Sequence, residues 1–101
     1  MSRQHHPEYI YKSYLTEQEE GFANHMEKLR GVEHRLKFLL EHPEKVEKHM
    51  EIYKMIIAEK DYLRDTSTFL PLTTQHRHEV NILWQTIENL ALNIHNAVIA
   101  L

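Results

Sequence analysis

The chain has 101 residues, 42% of them hydrophobic and 27% charged, with a formal net charge of −3 and no cysteine. That length fits one small domain, and the absence of cysteine excludes disulfides and thiolate metal sites and fits a reducing, cytoplasmic setting. Acids and bases alternate along the chain, leaving no polybasic arm for nucleic acid or an anionic membrane surface.

Two glycines and three prolines point to long helices rather than a turn-rich β fold. Residues 1–15 form a polar lead without the apolar run of a signal peptide. Within it, Pro7 can open a short extra helix carrying Tyr9, Ile10, Tyr11 and Tyr14. Thr16-Glu17-Gln18-Glu19 then matches a capping box, in which Thr16 and Glu19 each satisfy a free backbone N–H. The first long helix is therefore expected from about Thr16 to Glu41. Its buried stripe is Phe22, Met26, Leu29, Val32, Leu36 and Leu40, at three- and four-residue steps.

His42-Pro43 ends that helix, since a residue before proline is pushed out of the helical region while proline suits the first position of the next helix. The second helix is expected from about Pro43 to Thr68, with a stripe of Val46, Met50, Tyr53, Ile56, Ile57 and Leu63. The very short connection makes the two helices antiparallel. Leu70-Pro71-Leu72 breaks the second helix, and Thr73 or Thr74 can cap a third that runs to about residue 100.

The stretch Val80–Leu101 has Glu88 as its one formally charged residue. Its seam of Val80, Trp84, Ile87, Ala91, Ile94, Val98 and Leu101 has coiled-coil spacing, with Leu83, Leu90 and Ala97 on one flank. The polar residues that punctuate it mark a covered helix of a bundle rather than a membrane span. The expected architecture is all-α: an antiparallel, up-down-up three-helix bundle over residues 16–101.

Two apolar sets lie off these stripes. Leu92 and Ile99 are a heptad apart, as are Met55, Tyr62 and Phe69. Aligned exposed apolar residues point to a contact surface, either between copies of the chain or with another protein.

A polar cluster falls inside the expected stripes. His25, Lys60, Arg64, His76 and Glu79 converge near one end of the bundle when the helices are counted antiparallel, with Tyr11 and Tyr14 nearby. One reading is structural: an Arg64–Glu79 ion pair, a Lys60 that snorkels to water and a satisfied His25. The other is a pocket in which His25, Lys60 and Arg64, with His76, hold the anion of a phosphate-bearing small molecule and a tyrosine stacks on its ring.

Nine histidines are the compositional oddity; protonating all of them would carry the net charge from −3 to +6. No E-x-x-H, H-x-x-H or H-x-x-x-H of the kind used by helical metal sites occurs, so neither a metal nor a cofactor is expected. No nucleophile elbow, triad context or glycine-rich phosphate loop is present. The sequence is thus read as a small, non-enzymatic interaction protein — an adaptor, regulator or inhibitor — that self-associates. An anion- or nucleotide-binding bundle is the second reading, and a histidine-based metal protein or enzyme the third.

Overall fold

In the computed structural model, residues 7–100 are described, with side-chain surroundings from residue 16 onward. Among them the chain is all-α, with four helices: α1 (Pro7–Glu41), α2 (Pro43–Lys48), α3 (Met50–Ser67) and α4 (Thr74–Ile99). α1 packs against both α3 and α4, and α2 packs against α1 and α4, whereas the α3 and α4 backbones approach each other at few points.

The first expectation to fall is the start of α1. Thr16 lies inside the helix, which runs unbroken from Pro7 for 35 residues. The short separate N-terminal helix is instead the opening turns of α1. A capping box marks where a helix can start, not where it must. Nothing between Pro7 and Thr16 stops helix propagation, and proline at the first position leaves no helical hydrogen bond unmade.

The second expected helix is divided in two. His49, at φ −123° and ψ 49°, ends α2 and begins α3. Neither His49 nor Met50 is a helix breaker, and no local sequence signal marks the break. Val46 and Ile56 are both buried, at 1% and 4% exposure. The core thus continues on both sides of the break. Met50, expected in the stripe, opens α3 immediately after the break and is 38% exposed.

The core itself follows the sequence pattern. Met26, Leu29, Val32 and Leu36 of α1 meet Val46, Ile56 and Leu63, and Val80, Ile87 and Ile94 of α4 close over them. Leu39 rather than Leu40 is the fully buried end of the α1 stripe. Trp84, Ala91 and Val98 pack half-buried along the same seam, while Leu101 lies outside the described residues.

Thr73 caps α4. Its hydroxyl oxygen accepts a hydrogen bond from the His76 N–H at 3.0 Å. Arg77, one turn into α4, donates to the Ser67 and Leu70 carbonyls at 3.4 and 2.8 Å. Those carbonyls lie at and just past the end of α3, so a cation satisfies the negative end of that helix and ties the α3–α4 turn together.

Candidate functional site

The members of the expected polar cluster are regrouped in the structure. Lys60 is buried, and its ammonium donates to Glu88 of α4 at 2.8 Å with Asp61 at 3.3 Å. Burial alone would lower its pKa. The hydrogen bonds and negative charges of Glu88 and Asp61 outweigh that and hold it above its ordinary value. Lys60 is therefore committed to a structural ion pair and does not face His25. Counting residues placed the two level; the structure sets His25 beside Leu63 instead, close to one turn further along α3. The break at His49, which the count ignored, lies within the stretch that was counted.

Arg64 does not pair with Glu79. Its guanidinium carbon lies 5.8 Å from the centre of the Trp84 ring, and Lys60 Nζ lies 5.4 Å from the same ring. Both distances are within cation–π range. Among the described residues no carboxylate reaches Arg64 within ion-pair distance. His76 is also placed elsewhere: its ring stacks on Phe22, with centroids 3.9 Å apart and planes 9° from parallel. The side chains of Tyr11 and Tyr14 lie outside the described residues.

Where α3 and α4 diverge, a cleft of about 350 Å3 opens. Its polar lining is Arg64, Ser67 and Thr68 from the end of α3, Arg77 and Asn81 from the start of α4, and His25 from α1. Leu29, Leu63, Val80 and Trp84 supply the apolar part. No acidic side chain is among the lining residues. His25 is 5% exposed, and its Nε2 is buried without a hydrogen-bond partner. Burial, and then the charge of Lys28, push its pKa below the ordinary 6.5. The imidazole is thus neutral at pH 7, with one ring nitrogen unsatisfied.

Arg77 and Trp84 were not singled out as site residues from sequence. Arg77 sits in the first turn of α4, where its role depends on the α3–α4 turn folding back onto it. Trp84 belongs to the regular seam, and its position in the gap between α3 and α4 follows only from their divergence.

A second concavity, of about 340 Å3, lies between α1, α2 and α3 and is almost wholly apolar at its surface. Phe38, Leu39, Ile52 and Ile56 form its walls. Phe38 is 47% exposed and Ile52 53%, and Lys45 Nζ sits 4.9 Å from the Phe38 ring centre. Neither residue was expected at a surface of interest, although Ile52 is one turn before Met55 and shares its side of the helix.

The two stray apolar sets are on the surface. Met55 is 70% exposed, Tyr62 66% and Phe69 85%; on α4, Leu92 is 57% and Ile99 70%. Among the described residues no three metal-capable side chains gather, and no helix is long and apolar enough to cross a membrane. Compared with protein-family models, curated proteins and solved structures, the chain matches none.

Proposed function

We propose that this is a non-enzymatic interaction protein that works as a dimer or higher oligomer of its own chain. In this reading α2 and α3 together form the middle arm of an up-down-up three-helix bundle. The outward face of that arm is the contact surface. The observation that carries the proposal is the run Ile52, Met55, Tyr62 and Phe69: four large apolar residues, each more than half exposed, along α3 and the turn after it. Their spacing keeps them on one side of the helix. Phe38 and the apolar groove adjoin Ile52 and extend the surface onto α1.

A second copy is the occupant that the surface favours. Four large apolar residues dominate the face, with the Arg35–Glu59 ion pair set among them; isologous interfaces are likewise depleted of charge rather than free of it. Leu92 and Ile99 give α4 a shorter second strip for the same purpose.

Light scattering during size exclusion tests this directly. The chain is expected to elute above its 12.2 kDa monomer mass. The double substitution Met55→Glu, Tyr62→Glu is expected to elute as a monomer with unchanged helical circular dichroism. Both side chains point to solvent in the single chain, so charge there leaves the core intact. A wild-type monomer persisting at millimolar concentration would remove the proposal.

A further inference from the structure

The cleft between α3 and α4 has features that neither packing nor self-association requires. Among the described residues Arg64 reaches an indole ring but no carboxylate, and Arg77, whose guanidinium crosses from α4 to the Ser67 and Leu70 carbonyls, brings a second cation to the cleft. An arginine left without a counter-ion beside a second cation raises the local positive potential, and low-dielectric walls concentrate it. Asn81, Ser67 and Thr68 contribute neutral polar groups at the rim. Beneath them, Leu63, Val80 and Trp84 offer an apolar surface. His25 forms part of the same wall, with a buried ring nitrogen that has no partner. Leaving such a group unsatisfied costs about 1–3 kcal/mol, which a ligand atom or a ligand-held water would recover.

We propose that this cleft is a binding site for a small organic oxyanion, a phosphate monoester or carboxylate on a flat apolar body. The anionic group lies between Arg64 and Arg77, and the apolar body rests on Trp84, Leu63 and Val80. The volume of about 350 Å3 is at the low end of the range for small-molecule sites. It accommodates one ring and its headgroup. Lys60 takes no part, because Glu88 and Asp61 already neutralise it.

The chain has a single tryptophan, so the Trp84 indole N–H is a resolved reporter in a two-dimensional NMR titration. Phenyl phosphate and benzoate serve as probes, and the tighter of the two identifies the headgroup. At least one is expected to move the Trp84 signal saturably, with half-saturation below about 1 mM. Inorganic phosphate is expected to bind at least about tenfold more weakly, because it lacks the apolar body. Arg64→Gln is expected to weaken binding at least about tenfold, in keeping with loss of a charge-assisted hydrogen bond. Asn81→Asp, an exposed change that places a carboxylate in the lining, is expected to abolish binding with no effect on helicity. Arg35→Gln, at the distant α1–α3 ion pair, should bind as the parent does. The proposal is overturned by no saturable shift at about 10 mM of either probe, by equal affinity for neutral benzyl alcohol, or by unchanged affinity in both Arg64→Gln and Asn81→Asp.

Discussion

His25 shows how one residue's surroundings set a property of the whole chain. It is the one buried histidine among the described residues, and the groups that share its two clefts are Lys28 on α1, Tyr62 and Arg64 on α3, and Arg77 on α4. No carboxylate is among them to stabilise an imidazolium. In the unfolded chain His25 takes up a proton near pH 6.5; in the folded chain burial, then Lys28, delay this to lower pH. Between those two values the unfolded state binds more protons, so stability rises with pH. Its contribution is complete above pH 6.5 and is lost as pH falls below it. The urea midpoint is therefore expected to drop from pH 7.5 to pH 5.5, and to drop less in His25→Leu. Equal drops in the two proteins would show that His25 is not the group responsible. The Lys60–Glu88 pair is a contrasting case. Its charges are satisfied on the spot, and the exposed Arg35–Glu59 pair at 2.8 Å adds little stability because water screens it.

At the scale of the elements, α1 holds a tractable stability reserve. Gly21 lies well inside the helix, and a Cβ built there meets nothing within 4 Å. Glycine in a helix interior costs about 1 kcal/mol relative to alanine, through the freedom its backbone loses on folding. Gly21→Ala is expected to stabilise the protein by about 0.5–1 kcal/mol, read from the urea midpoint at an unchanged slope. A destabilised variant would mean that the backbone at Gly21 needs room that the present packing does not use. The same helix shows what sequence pattern conveys. The apolar periodicity of α1 and α4 located their buried faces, because a core stripe is a local property of spacing. The α4 cap was legible to within one residue, Thr73 or Thr74, and the structure uses Thr73. The start of α1 was not, since a cap signal competes with whatever precedes it. Nor was the break at His49, since neither His49 nor Met50 is a residue that stops a helix. That break then defeated the residue count between α1 and α3. His25 and Arg64 line one cleft, whereas Lys60, His76 and Glu79, counted into the same cluster, are not among its lining residues.

At the scale of the whole molecule, the shape itself argues for association. The chain extends over 68 × 22 × 19 Å with a radius of gyration of 18.3 Å, against about 13 Å for a compact domain of 100 residues. Its accessible surface is 7591 Å2, whereas a folded monomer of its mass exposes about 6,100 Å2. Long thin bundles bury less per residue than globular ones. The excess exceeds the roughly 800 Å2 per partner of a standard interface. A dimer joined along α3 would remove the most apolar part of that excess from water, and part of the stability of the fold would then depend on concentration. Because association favours the folded state by mass action, the thermal midpoint should rise by about 3 °C for each tenfold increase in protein concentration. In the Met55→Glu, Tyr62→Glu protein the midpoint should be lower and independent of concentration, since only single chains remain to unfold. Calorimetry over a hundredfold concentration range decides it. A wild-type midpoint that stays fixed would mean that the exposed row on α3 contributes nothing to the stability of the free protein, and that its surface is not covered by a second copy.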